Sequence, residues 1–162
     1  MKVYIKNKFL SLGGSSTVVD ENKNPVLKVK GKLFSITRKK YIKDKDNKTL
    51  FVVRNKFFNW FKHTAFIYDE NKTKICKVVD KFFNVNKEYF IQGLDGEIKI
   101  NGGFFSLTSQ ILRNGEVVGT IRRKVDMWVD SFELEADEQD IPFCVALVIA
   151  IDNIVDKKSK VN

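Results

Sequence analysis

Six aromatic starts recur along the chain at nearly constant spacing. They are Lys8-Phe9-Leu10-Ser11, Lys32-Leu33-Phe34-Ser35, Lys56-Phe57-Phe58-Asn59, Lys81-Phe82-Phe83-Asn84, Gly103-Phe104-Phe105-Ser106 and the degenerate Lys124-Val125-Asp126-Met127-Trp128. Spacings of 24, 24, 25, 22 and 21 residues suit a repeated supersecondary unit, which must stack on its neighbours to bury an apolar face. Each start leads into a β-type run, a polar turn and a second β-type run. The turns are Asp20 to Pro25, Asp44 to Lys48, Asp69 to Lys72, Leu94 to Glu97 and Arg113 to Glu116. Asp-Gly and Asn-Gly in the last two are strong hairpin signals, because both central residues of a type I′ turn need positive φ. Flanking runs alternate as strands do: Leu27, Val29 and Gly31 on one face, Lys28, Lys30 and Lys32 on the other. Six units predict about twelve strands, although the sixth lacks a clear turn and its second strand is unassigned. No linker divides the repeats, so residues 1–156 read as one domain, followed by a polar tail at 157–162.

After Asp140 the period stops. Ile141-Pro142-Phe143-Cys144-Val145-Ala146-Leu147-Val148-Ile149-Ala150-Ile151 is apolar on every face of a helix expected over 141–156. Pro142 fits a first helical turn and Asp140 an N-cap. Such a helix belongs inside a protein or a membrane, and it is shorter than the ~20 residues a spanning helix needs. An eight-stranded barrel is filled by its own side chains, whereas one of eleven or so strands holds a central helix. The fold class predicted is therefore mainly β: a closed antiparallel barrel of about twelve strands around a buried C-terminal hydrophobic α-helix. A short membrane anchor is the competing reading of the helix.

The pattern resembles the LURP-one-related family, in the tubby C-terminal-domain superfamily that includes the phospholipid scramblases. The resemblance rests on Tyr4-Ile5-Lys6-Asn7-Lys8-Phe9 with Ser11-Leu12-Gly13, on the unit from Asp20 through Leu27-Lys28-Val29-Lys30-Gly31 to Ser35, and on Val145 to Asp152. It spans about residues 2–156. It implies a twelve-stranded barrel wrapped on a C-terminal helix. Tubby relatives bind phosphoinositides through basic residues, but no local motif maps those residues here, and none is carried over.

Tests for chemistry are mostly negative. His63 is the single histidine, expected to be structural rather than a catalytic base. One His with Cys76 and Cys144 cannot form a structural zinc site, and each cysteine is expected as a buried free thiol. No G-x-S-x-G, Walker A or G-x-G-x-x-G motif occurs. Asp44-Lys45-Asp46-Asn47 lacks the glycine and closing glutamate of a calcium loop and reads as a turn. The acids Asp126, Asp130, Glu133, Glu135, Asp137, Glu138 and Asp140 read as a solvated strand face leading to an exposed linker rather than an acid/base or cation site. No enzymatic activity, cofactor or metal is expected.

The aromatic doublets are expected at barrel corners and in the core. The exception is Phe57-Phe58-Asn59-Trp60-Phe61, four aromatics in five residues, more than alternation can bury. Phe57, Phe58, Trp60 and Phe61 are therefore candidates for a membrane or partner contact at a rim.

Of 29 Lys+Arg against 20 Asp+Glu, residues 1–62 hold 16 and 4, a net of +12, and the remainder 13 and 16, a net of −3. Lys28, Lys30 and Lys32 share a strand face, and Arg38, Lys39, Lys40 and Lys43 lie on the strand following. If those strands pair, all seven form an anion- or lipid-headgroup-binding patch, set against a bland reading as edge protection and solubility. The leading expectation is a non-enzymatic module for anionic lipid or membrane surfaces, assisted by Phe57 to Phe61. A nucleic-acid-binding or protein-interaction barrel with no lipid ligand is the alternative. No signal-peptide pattern opens the chain, so it reads as cytoplasmic, with peripheral membrane association allowed.

Overall fold

A computed structural model describes residues 1–6, 15–32, 34–58, 63–80, 89–93, 97–101, 108–125 and 130–159. The chain is mainly β, and the described residues form twelve strands and one helix. The strands are β1 (Lys2–Lys6), β2 (Ser15–Asp20), β3 (Pro25–Gly31), β4 (Lys40–Lys43), β5 (Thr49–Asn55) and β6 (Thr64–Tyr68). They continue with β7 (Lys74–Asp80), β8 (Tyr89–Gln92), β9 (Ile98–Asn101), β10 (Thr108–Arg113), β11 (Glu116–Val125) and β12 (Asp130–Ala136), and the helix is α1 (Ile141–Ser159). Every pairing is antiparallel between chain neighbours, except that β1 pairs with both β2 and β12. The order of paired neighbours is β1-β12-β11-β10-β9-β8-β7-β6-β5-β4-β3-β2. The narrowest seam among the described residues joins β8 to β9, where Phe90 faces Lys99 and Ile91 faces Ile98.

The six-unit reading needs one revision. Five units form hairpins, β2·β3 through β10·β11. The sixth contributes only β12, whose partner is β1 from the other end of the chain, in register from Lys2 opposite Glu135 to Lys6 opposite Ser131. The turn at 138–140 that follows β12 leads out of the sheet into the helix and not into a further strand.

The polar turns of the first three units share one construction. The carboxylates of Asp20, Asp44 and Asp69 each accept the backbone N–H four residues on, from Asn24, Lys48 and Thr73, at 2.8, 2.9 and 2.8 Å. Three residues after each Asp the backbone turns left-handed, at Lys23, Asn47 and Lys72. This is the local Asx chemistry that lets a short carboxylate stand in for a backbone acceptor. Asp44 to Lys48 is thus a turn, as expected, with the Asp44 carboxylate bonded to its own backbone. The Asn114-Gly115 turn has positive φ at both residues, 54° and 87°, as a type I′ hairpin requires. The Leu94 turn lies outside the described residues.

Alternate residues of the strands face the helix and are buried, among them Val3, Ile5, Val18, Leu27, Val29, Ile42, Val53, Ile67, Val78, Ile111, Ile121 and Leu134. The helix packs against β4, β5, β6, β7 and β12, and every residue from Cys144 through Ile154 is buried. No described helix is long and apolar enough to cross a membrane. The helix begins after Asp140 as expected, the Asp140 carbonyl accepting the Cys144 N–H at 2.9 Å, while its carboxylate is bound by Arg113. The helix runs three residues beyond the expected end. Gly119 on β11 lets it approach closely: a Cβ there would stand 3.3 Å from Cys144 Sγ and 3.4 Å from Ile111 Cδ1.

Leu147 is wholly buried, so Leu147→Ala removes a branched side chain where the enclosing strands cannot collapse freely. The expected loss is about 3 kcal/mol, read as a lower urea midpoint with unchanged slope. A loss below about 1 kcal/mol would place this side chain outside a close-packed core.

Candidate functional site

β3 and β4 bring most of the predicted basic residues onto one outer wall. Their register sets Lys28 opposite Lys43, Val29 opposite Ile42 and Lys30 opposite Tyr41, and the Lys32 N–H donates to the Lys39 carbonyl at 2.8 Å beyond the last pair. Val29 and Ile42 face inward, so Lys28, Lys30 and Lys43 face out. Among the described residues Lys28, Lys30 and Lys32 make no ion pair. Lys43 Nζ donates to the Asn47 carbonyl at 2.9 Å, and Lys39 Nζ sits 5.0 Å above the Tyr41 ring.

One predicted member, Lys40, does not belong to that wall, and Arg38 lies off the strand. Lys40 is buried, at 4 % exposure, because strand parity puts it on the inward face with Ile42, opposite Val53. Consecutive residues of a strand cannot share a face, and the Arg38-Lys39-Lys40 run straddles the point where β4 begins. Arg38 lies before β4 in a left-handed conformation (φ 50°), its carbonyl accepting from Asn153 Nδ2 on the helix at 3.2 Å. Sequence reading could not assign either without knowing where the strand starts.

The wall also extends beyond the predicted set. Arg54 on β5 donates from Nε and Nη2 to the Tyr68 hydroxyl at 3.0 and 2.7 Å, and its guanidinium lies 4.7 Å from the Tyr68 ring. Lys74 Nζ stands 5.6 Å above Phe66, and Phe66 is opposite Lys77. Tyr41, Arg54, Phe66, Tyr68, Lys74 and Lys77 thus continue a basic and aromatic band from β3 round to β7. Its sequence signal is a cation opposite or diagonal to an aromatic on the neighbouring strand, visible only once register is known.

The wall built from β11, β12 and β1 carries charge in the opposite way, with each sign paired. Glu133, read from sequence as solvated, is nearly buried. Lys124 Nζ and Arg122 Nη1 approach its two oxygens at 2.9 Å each, and Arg122 also holds Glu135 at 3.1 Å. The Lys124 hydrogen bond holds the Glu133 carboxyl below the usual carboxylate range; burial pushes the other way, and Arg122 adds to the lowering. Asp140 is bound by Arg113 Nη1 at 3.1 Å. Asp126 lies outside the described residues.

The apolar candidates divide similarly. Phe57 and Phe58 are 54 % and 68 % exposed and pack edge to face on each other with centroids 4.6 Å apart. Trp60 and Phe61 lie outside the described residues, as do the doublets of the first, fourth and fifth repeats. Phe34, from a doublet expected in the corners or core, is 97 % exposed, and Ile36 beside it 77 %. The described doublet aromatics are therefore surface groups. They stand in the connections between strands, where alternation exerts no control.

His63 is buried at the start of β6. Cys76 and Cys144 are free and buried, and burial pushes each thiol up to about 12. No cluster of three or more His, Cys, Asp or Glu suited to a metal occurs among the described residues.

A family model described as LURP-one-related matches residues 1–152. A protein from Arabidopsis thaliana solved by X-ray crystallography is similar in fold, with a TM-score of 0.57 at 14% identity, over 93% of this chain and 91% of that one. No curated protein matches the sequence.

The Glu133 network makes a pH prediction. A carboxyl whose folded pKa is depressed adds stability that is present above its unfolded pKa and lost as pH falls through the folded one. Acidification across and below the usual carboxylate range should lower the urea midpoint of the native chain. Glu133→Gln should flatten part of that decline, and an identical pH profile for the two proteins would show that the network carries none of it.

Proposed function

We propose that this chain, which belongs to the LURP-one-related family, is a non-enzymatic closed barrel around its helix that binds anionic phospholipid headgroups at membrane surfaces through the outer faces of β3 and β4. One observation carries the reading: Lys28 stands directly opposite Lys43. Side chains so placed lie about 5 Å apart at Cβ, and like charges there are destabilising. Edge protection does not account for them, since β3 is covered by β2 and β4, and β4 by β3 and β5. A phosphate between the two strands offsets the repulsion, and Lys30 and Lys32 continue the same row. The paired wall of β11, β12 and β1 offers an anion no comparable gain, because its cations already hold Glu133 and Glu135.

Nucleic acid fits the wall less well. Stacking on bases needs open ring faces, and Tyr41, Phe66 and Tyr68 are each covered by a cation of the chain itself, Lys39, Lys74 and Arg54.

Co-sedimentation tests the reading. Vesicles of phosphatidylcholine with phosphatidylserine should pellet the protein at low salt and release it at high salt, whereas phosphatidylcholine alone should not pellet it. At about 1 kcal/mol per lysine near the surface, Lys28→Gln, Lys30→Gln and Lys43→Gln together should weaken binding roughly a hundredfold. Pelleting that survives the triple substitution removes the wall from the mechanism. Displacement by single-stranded or duplex nucleic acid at stoichiometric amounts favours the alternative ligand.

A further inference from the structure

The connections β3–β4 and β5–β6 leave the sheet at the same end, because each joins an odd strand to the next even one in an antiparallel order. They are tied together there: the Asn55 N–H donates to the Thr37 carbonyl at 2.7 Å. Phe34 and Ile36 stand on the first and Phe57 and Phe58 on the second, and all four are exposed. Scattered exposed apolar residues need no explanation, but four on two joined loops form a patch.

Phe34 carries a second cost. Its φ is 56°, a left-handed conformation that is an outlier for a bulky residue and is found where surrounding structure imposes it for use. The imposition is visible. Within the loop, Ser35 N–H donates to the Lys32 carbonyl, Arg38 N–H to the Ser35 carbonyl and Lys39 N–H to Ser35 Oγ at 3.3, 3.0 and 3.0 Å. The helix grips the same loop through Asn153 Nδ2 on the Arg38 carbonyl, and Asn55 Nδ2 in turn holds the Asn153 carbonyl at 3.1 Å. A phenyl ring is thus held outward in a strained conformation by a hydrogen-bonded loop, and it is 97 % exposed.

We infer that this end of the molecule inserts into an anionic bilayer, with Phe34, Ile36, Phe57 and Phe58 reaching the headgroup–acyl boundary. The occupant is chosen by charge: Lys32, Lys39 and Lys56 flank the four apolar side chains, and Lys32 and Lys39 join the patch to the lysine row of β3 and β4. Apolar groups at the acyl boundary with lysines at the headgroup level are the arrangement of an interfacial anchor. The inference rests on the anionic-surface reading above and adds an orientation and an apolar component to it.

A fluorescent probe separates the two. Phe34→Cys carrying an environment-sensitive nitrobenzoxadiazole label gives a single site, since Cys76 and Cys144 are buried with thiols pushed up to about 12. With phosphatidylserine-containing vesicles its emission should shift to the blue and be quenched by bromine-labelled acyl chains. Phe34→Ser with Ile36→Ser should bind the same vesicles at least tenfold more weakly, equivalent to about 1.4 kcal/mol, with an unchanged urea midpoint. Phe57→Ser with Phe58→Ser provides a second, independent pair with the same expectation. If the unmodified protein pellets with the vesicles while the probe stays as in buffer and both pairs bind normally, insertion is wrong and the electrostatic reading stands. If the unmodified protein does not pellet at all, both readings fall. A blue shift that grows with protein concentration in the absence of vesicles would assign the patch to a second copy of the chain and overturn the inference.

Discussion

Enclosure of an apolar helix is the constraint on which the rest of this structure depends. From Cys144 to Ile151 the helix has no face suited to water, and each fully buried Val, Leu or Ile adds about 1.5–3 kcal/mol only if it is covered. A single sheet face covers one side of a helix. Cover on several sides demands a sheet that curls, and curling brings β1 beside β12 although 124 or more residues separate them in the chain. The inward residues are then mostly apolar, with Lys40, Asn55 and Ser109 among the exceptions, and the outward ones are free to vary.

That freedom on the outside is where the candidate functions lie. The two walls use it in opposite ways: β11, β12 and β1 arrange cations around Glu133 and Glu135, while β3 and β4 set lysine against lysine. The first arrangement satisfies itself. The second leaves a field of one sign over strands that need no edge protection. The two ends differ as well. The Asp-anchored turns of the first three units close one end with local hydrogen bonds, whereas the β3–β4 and β5–β6 connections at the other carry exposed Phe and Ile beside lysines. The helix's C-terminal half reaches that second end and holds it, through Asn153 on Arg38 and Asn55 on Asn153.

Much of this was legible in the chain and the illegible parts share a cause. Alternation placed Lys28 and Lys30 outside and Leu27 and Val29 inside, since parity within one strand is local. Asp20, Asp44 and Asp69 announced their turns because the carboxylate bonds to its own backbone a few residues on. Lys40 was misread because its parity depends on where β4 begins, which is decided by pairing with β3 and not by the Arg38-Lys39-Lys40 run. Glu133 looked solvated because its cations lie on β11, one strand away and at least nine residues distant. Phe34 looked like core because an aromatic doublet in a repeat is indistinguishable from one in a loop until the strand ends are known.

The sequence alone therefore determined what short-range physics controls: the repeat, the strand faces, the turns, the helix start after Asp140 and the necessity of burying the helix. Tertiary structure decided which distant groups meet. It paired β12 with β1, set Lys28 against Lys43, folded Lys124 and Arg122 onto Glu133, and joined Phe34 and Ile36 to Phe57 and Phe58 at one end. Register and pairing are properties of two or more strands together, so no single stretch of residues carries them, and the features on which the proposed function rests are of that kind.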